Sequence, residues 1–509
     1  MAGGLMGDIV KEAAHRFGDT SVYVAPDGEA LSYTDLDTLS DAVAAGLTGR
    51  GVGAGDVIGL LLPSSAAYAV AYVAAAKIGA VTAGVNDKLS PPERRRCLAI
   101  ARPRLVIASG ELAGATGVGA MDHIGEVVEV DSDSAPADAL EELRTSGTEG
   151  PVLPVDPDRA VAVVFTSGTT GEPKGAVFCE RQLDAISEAD GGRRWGDGGR
   201  GLSSTSFAHL GYMTKLFQAL RGGGTSFLMT RWSAGDALEM VARHRITSLG
   251  GIPTQVALML SHENFEETDI SSVRIIAMGG GPATASLVRE ARRRFGVPVI
   301  VRYTCTEAGV GVGTVVDDPP EDAEESVGRA RAGVELTIRD DDDRPLPAGE
   351  TGQVCLASAA VMARYHRDPA ATAAALTADG AVRTGDLGFV DERGRLHLSG
   401  RSKEMYVRGG YNVFPLEVEE VLADHPAVAH VAVAPRLDPV MGEIGVAVVV
   451  TRAGVEAPTL ESLRAHAKSR LAAHKLPEAV VLTDELPRTA MEKIDRRVLA
   501  QMVAAATSR

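Results

Sequence analysis

Short, unbroken apolar runs recur along this chain, and between them the apolar residues fall at helical spacing. "VIGLLL" at 57–62, "LVIAS" at 105–109, Val161 to Phe165 and Val273 to Met278 each read as a buried strand. Leu36, Leu39, Val43 and Leu47 share one helical face; further helices are expected at 65–78, over "ALEMVARHR" and from about Thr284, and "ITSLGGIPT" reads as a strand ending in a Gly-Pro turn. A strand that is apolar on both faces must be covered on both, so the pattern implies an α/β architecture of helices layered on largely parallel sheet. Beyond 326 the rhythm shortens to hairpins, with Asp-Asp-Asp and Arg-Gly as the turns. After Gly400 it shifts again: "PLEVEEVLADHP" reads as helix, "HVAVAPRL" and "IGVAVVV" as strands, and "LESLRAHAKSRLAAHK" as one helix. At 509 residues the chain exceeds one core. We expect a large N-terminal α/β unit over 1–400, built from several layered subdomains, and a small α+β domain over 401–509.

Composition narrows the function. A formal net charge of −17 disfavours nonspecific binding to nucleic acid or anionic lipid. Four scattered cysteines have neither metal-ligand spacing nor a disulfide framework, which fits a reducing cytoplasm. The N-terminal stretch carries Asp8, Lys11 and Glu12 inside its apolar pattern and reads as an amphipathic helix rather than a signal peptide. "AAYAVAYVAAAKIGAV" is interrupted by Lys77 and is shorter than the ~20 apolar residues of a membrane span, so no anchor is expected.

The run at 161–165 feeds into "TSGTTGEPKG". A surface turn needs one or two special residues, not Thr166, Ser167, Thr169, Thr170 and Lys174 together with Gly168 and Gly171. Glycines let backbone N–H groups approach an anion, hydroxyls donate further hydrogen bonds, and the lysine adds charge. The stretch therefore reads as a phosphate grip. It is not a Walker A loop, because Pro173 stands five after Gly168 and Lys174 is followed by Gly175. Nor does a Gly-x-Gly-x-x-Gly follow any expected strand.

Four more stretches join it: "YTCTEAG" at 303–309, "RTGDLG" at 383–388, "GRSKEMYVRGGYNVFPLEVEEVL" at 400–422 and "PRTAMEKIDRRVL" at 487–499. In this order and spacing they resemble the adenylate-forming superfamily of acyl- and aryl-CoA synthetases, peptide-synthetase adenylation domains and luciferases, over nearly the whole chain. The resemblance implies that a carboxylic acid is joined to the α-phosphate of ATP and then passed to a thiol, usually that of CoA. It assigns Thr306 to the α-phosphate, Glu307 to Mg²⁺, Tyr303 to adenine, and Gly279, Gly280 and Gly281 to the base and acyl pocket. Asp386, assisted by Arg401, would take the ribose hydroxyls, and Lys493 would bridge carboxylate and α-phosphate. His209 matches an aromatic gate of the acyl pocket, without being required as a general base; Tyr212, Met213, Gly251, Pro253 and Thr304 would shape that pocket. Lys403 matches the hinge about which the mobile C-terminal domain rotates, bringing Gly409 and Gly410 to the pantetheine.

Three positions depart from the family pattern. Thr304 and Glu492 each stand where a glycine is usual, and "ARYHRDP" replaces a Gly-Tyr-Tyr form. "FAHLGYM" lacks the aspartate that commonly holds an amino group in peptide synthetases, which favours an acid without an α-amine. The alternative to CoA is another acceptor: a free-standing carrier protein, an amine, or nitrite activated for diazotisation.

Overall fold

The computed structural model describes residues 6–132, 134–145, 153–166, 172–196, 198–203, 205–229, 231–489 and 493–506. Two large sheets carry the first part of the chain. In one, seven strands run in the order Arg364–Tyr365, Lys174–Cys179, Ala160–Thr166, Val81–Gly84, Val57–Leu61, Leu105–Ser109 and Glu126–Val130. Its inner strands are parallel; only the pairings made by Lys174–Cys179 are antiparallel. The nine-stranded sheet likewise has a parallel centre, where Ser248–Gly251, Ile275–Gly279 and Val299–Tyr303 lie side by side.

The helix Ala66–Lys77 shows why two sheets close on each other here. Ala67 to Ala76 are all buried, so the segment is apolar all round, as a helix between two layers must be. It shares one core cluster with Leu60 and Val164 of the first sheet and Val22 and Leu228 of the second. Lys77, which breaks the apolar run, ends the helix and pairs with Asp37 and Asp41 at 2.7 Å each. That charge is structural. No helix among the described residues is long and apolar enough to cross a membrane.

A four-stranded antiparallel sheet follows, made of the two expected hairpins: Glu335–Arg339 with Gly352–Ala357, and Val382–Val390 with Leu396–Arg401. Beyond it the chain builds a separate sheet from Tyr406–Arg408, Tyr411–Val413, Val428–Asp438, Gly442–Thr451 and Ala479–Thr483. The helices Pro415–Ala423, Leu460–Ala467 and Arg496–Ala505 accompany it, and its cores are distinct from those of the first part.

Two expectations about local structure need correction. Instead of a Gly-Pro turn, Ser248–Gly251 passes through Ile252 straight into the helix Pro253–Ser261, whose first position suits proline because no N–H is needed there. The single helix expected over "LESLRAHAKSRLAAHK" stops at Ala467 and resumes only as a short 3₁₀ turn at Ala473–Lys475. Leu471 and Leu476 fold back into the small core, and the Arg464 guanidinium holds that return by donating to the Pro477 carbonyl at 2.6 Å.

Candidate active site

The parallel strands deliver the site from their carboxyl ends, where open α/β sheets place ligands. Ala160–Thr166 and Lys174–Cys179 form a hairpin in which Thr166 faces Lys174 across the register. Ser167, Gly168, Thr169 and Thr170 lie outside the described residues, as does Glu492. The hairpin thus fixes both ends of the stretch read as a phosphate grip.

Gly279 ends its strand directly opposite Arg302. A β-carbon there would stand 3.1 Å from the Arg302 carbonyl, so the residue is kept small by its neighbour strand. Gly280 adopts φ +78°, and Gly280 and Gly281 are exposed, leaving backbone available to a ligand. Tyr303 ends the adjacent strand, and the chain then turns through Thr306–Ala308.

Tyr303 and Arg401 converge on Asp386. The Tyr303 hydroxyl donates to Asp386 Oδ2 at 2.7 Å, and Arg401 Nε lies 3.1 Å from Oδ1. Asp386 and Arg401 are register partners, so the hairpin itself sets this pair. Burial and the carboxylate push the Tyr303 phenol well above its ordinary pKa, which keeps it a donor. Asp386 is buried to 7 % exposure, yet a carboxylate has about four lone-pair sites and retains acceptor capacity after these two contacts.

Glu307 has a partner the sequence did not suggest. The Tyr365 hydroxyl donates to Glu307 Oε1 at 2.5 Å, and Lys174 Nζ lies 5.1 Å from the centre of the same ring. One tyrosine therefore joins the strand that starts at Lys174 to the Glu307 carboxylate. It belongs to "ARYHRDP", where only the departure from family pattern was visible. Among the described residues no three His, Cys, Asp or Glu side chains gather as a metal cluster. Glu307 fits Mg²⁺ nonetheless, since that ion is usually held by one or two carboxylates together with phosphate oxygens and water.

His209 caps the short helix Leu210–Met213, its Nδ1 accepting the Gly211 N–H at 3.3 Å. Burial, followed by the charge of Lys493, pushes its pKa down to about 4. At neutral pH the ring is uncharged, and because Nδ1 accepts, its proton sits on Nε2. His209 is thus set to donate a hydrogen bond rather than to take a proton.

The same interaction locates Lys493. Loss of hydration around its ammonium, then repulsion by Arg401, lowers its pKa, while Asp386 opposes the shift; the residue as a whole stays exposed. The charge of a lysine from the last part of the chain thus acts on Arg401, Asp386 and His209, residues of the first part and its final strand. A local clasp holds it: Thr489 N–H donates to the Lys493 carbonyl at 2.7 Å and Arg488 bridges Ile494.

The residues assigned to the acyl pocket divide. Tyr212 is half-buried, stacks on Phe207 with ring centres 3.6 Å apart, and shares a 2.8 Å hydroxyl contact with Tyr23. Gly251 and Thr304 retain exposure at the strand ends. Met213 does not face an open space: it is fully buried, its sulfur against Gly84, and its carbonyl accepts from Tyr72 at 2.6 Å. Pro253 is also buried, supporting Gly281 from behind. These two back the wall rather than line it. Tyr23 and Phe207 are buried as well and pack behind Tyr212, a contact the sequence does not reveal because their strand and loop meet only in three dimensions.

Lys403 is exposed in the turn that follows the strand Leu396–Arg401. Gly409 and Gly410 form the two-residue turn between Tyr406–Arg408 and Tyr411–Val413, with φ of +55° and +86°. Such a hairpin turn needs positive φ at both positions, which accounts for the glycine pair.

The family model described as AMP-binding enzyme matches residues 10–366, and that of the AMP-binding enzyme C-terminal domain matches 417–493. The chain belongs to the AMP-binding enzyme family. It is 34% identical over 491 residues to an indoleacetate–CoA ligase of Aromatoleum aromaticum, covering 94% of each chain. Among solved structures it is similar to the anthranilate CoA ligase AuaEII in complex with anthranoyl-AMP, with a TM-score of 0.90 and 25% identity over 99% of this chain and 98% of that one. It also resembles the amide bond synthetase McbA of Marinactinospora thermotolerans, with a TM-score of 0.86 and 27% identity over 98% of this chain and 100% of that one.

Proposed function

We propose that this AMP-binding enzyme is an AMP-forming acid–thiol ligase acting on an aromatic or alicyclic carboxylic acid. In the first step a carboxylate oxygen bonds to the α-phosphorus of ATP. The bond to the β-phosphate breaks and pyrophosphate leaves with its electron pair. In the second, the CoA thiol attacks the acyl carbon, AMP departs, and the thiol proton passes to solvent.

The observation that carries this reading is the convergence of Tyr303 and Arg401 on Asp386 at the strand ends, with the charge of Lys493 acting on the same group of residues. Attack of one anion on another is opposed by repulsion, so a cation held at the reacting centre lowers the barrier. Asp386 and Tyr303 would fix the nucleoside, and Thr166, Lys174 and Thr306 the phosphates. Ser167, Thr169 and Thr170 would join them there. Glu307, held by Tyr365, would bind Mg²⁺, which neutralises phosphate charge when present.

The acid class follows from the pocket wall and from two relatives. Gly251 and Gly281 add no side chain, whereas the half-buried Tyr212 ring, backed by the buried Phe207, offers an aromatic edge. Indoleacetate and anthranilate, the acids named for the two ligases, are aryl acids. We place the domain boundary at 400/401, with Lys403 as the hinge and Gly409–Gly410 as the edge that meets the thiol after rotation. Four free cysteines are consistent with work in the cytoplasm.

The direct test is incubation with ATP, Mg²⁺, CoA and a panel of aryl, alicyclic and fatty acids, read by mass spectrometry. The expected products are AMP and the CoA thioester of a cyclic acid. The likeness to an amide bond synthetase favours one second reading, an amine acceptor. AMP formed without a thioester, with amide appearing when amines are added, would establish that reading instead.

A further inference from the structure

A cavity of about 440 Å³ opens beside the phosphate hairpin, lined among others by Arg102, Lys174, Tyr365, His366, Arg367 and Asp368. Three segments far apart in sequence contribute to it: the end of the helix Pro91–Ala101, the start of the strand Lys174–Cys179, and the chain after Arg364–Tyr365.

Its charge is opposite to that of the molecule. In a chain of net charge −17, Arg102, Lys174 and Arg367 line one space, and none of them forms an ion pair among the described residues. The single carboxylate of the lining, Asp368, accepts the Ala371 N–H at Oδ1 (2.8 Å) and caps the helix Pro369–Ala375, so the three cationic residues still outnumber it. His366 adds a buried Nε2 with no hydrogen-bond partner among the described residues. Arg102 and Arg367 both adopt left-handed backbone, φ +45° and +56°, which is uncommon outside glycine. Arg102 alone would be an ordinary helix C-terminal residue. Arg367 caps no helix end, and its left-handed turn adds a second arginine to the lining.

The inner wall is shared with the active site. Lys174 faces Thr166 at the mouth of the phosphate loop, and the ring beneath Lys174 belongs to Tyr365, which holds Glu307. Lys174 and Tyr365 thus border the cavity, and Tyr365 borders the Glu307 carboxylate as well. We infer that this cavity is a subsite for the pyrophosphate leaving group, with Arg102 and Arg367 as its added cations. The inference rests on the ligase reading for the source of the anion. Drawing the product away from the α-phosphate would oppose reversal of adenylation.

Calorimetric titration of sodium pyrophosphate into the full chain, without ATP or acid, tests it. In the double variant Arg102→Gln/Arg367→Gln the Kd for pyrophosphate is expected to rise about tenfold or more, since each lost guanidinium removes a charge-assisted contact. Arg102→Lys/Arg367→Lys restores most of it. AMP, which lacks the leaving phosphates, binds both proteins alike and reports an intact fold. A phosphate carried by CoA is the other source of the same chemistry, so CoA and 3′-dephospho-CoA are titrated in parallel. Their affinity ratio is expected to be the same in wild type and variant. A pyrophosphate Kd within twofold of wild type overturns the proposal, as does a wild type that binds no pyrophosphate or a variant in which the CoA ratio collapses. These readouts need no turnover, so failure of the ligase reading would appear separately, as an absence of acyl-CoA from every acid.

Discussion

Lys493 and Tyr365 illustrate two kinds of residue. Lys493 lies in a stretch recognisable from "PRTAMEKIDRRVL", and the structure adds what surrounds it: Arg401 repels it, Asp386 attracts it, and His209 feels its charge. We expect Lys493→Ala to slow acyl-adenylate formation by at least about 100-fold, the order of a lost electrostatic stabiliser. Thioester formation from supplied acyl-adenylate should be little changed; equal loss of both half-reactions, measured by rapid quench, would reject that division. Tyr365 could not be found in the same way, because its meaning lies in a contact with Glu307, 58 positions away in sequence. Tyr365→Phe keeps the ring under Lys174 and deletes only the donor. A hydrogen bond to a charged group is worth about 1.5–3 kcal/mol, so kcat should fall roughly tenfold or more. The apparent KM for Mg²⁺ should rise with it. Unchanged Mg²⁺ dependence would detach Tyr365 from the metal site.

At the scale of elements, continuous apolar strands were the most legible feature, because burial on both faces leaves no room for polar alternation. Helices were legible where one face repeats, as at Leu36, Leu39, Val43 and Leu47. The helix Leu460–Ala467 was read too long because Leu471 continues the helical spacing of Leu463 and Ala467 while reaching the core through a turn. Cross-element charge was invisible altogether. Glu180 opens the helix Glu180–Gly191 at 5 % exposure, and its Oε2 has no hydrogen-bond partner among the described residues. Burial raises its pKa to about 7, although the Arg159 charge and the Met6 backbone N–H act the other way. An acid whose folded pKa is raised binds a proton more tightly in the native state, so stability falls as pH climbs from about 4.5 through about 7. Glu180→Gln should therefore raise the Tm at pH 8, with a smaller gain at pH 5.5. A gain of equal size at both values, followed by scanning fluorimetry, would mean the benefit is not electrostatic.

For the whole molecule, the two-part plan was legible from the change of composition after Gly400, but the placement of the parts was not. Composition does not reveal that the last strand of the four-stranded sheet hands over to the small domain through an exposed turn at 402–404. Nor does it reveal that Gly400 (φ +141°) leaves 3.3 Å between a would-be β-carbon and Phe414. If that turn is the hinge, Lys403→Pro, which fixes φ and removes an N–H, should stiffen it. Adenylation would persist near the wild-type rate while transfer from acyl-adenylate to CoA drops about tenfold or more. Loss of neither step, measured on the separated half-reactions, would move the hinge elsewhere.

The joint also gives the molecule a point of vulnerability. The chain crosses between its two parts at Arg401, Ser402 and Lys403, exposed residues that include two cleavage positions of a trypsin-like protease. Arg401 is engaged by Asp386, a carboxylate whose charge also acts on Lys493. A swing away that loosened this engagement would lay the backbone open. If this short segment is the hinge, it would then record motion as a pattern of cuts, linking how often the enzyme changes posture to how long it survives among proteases.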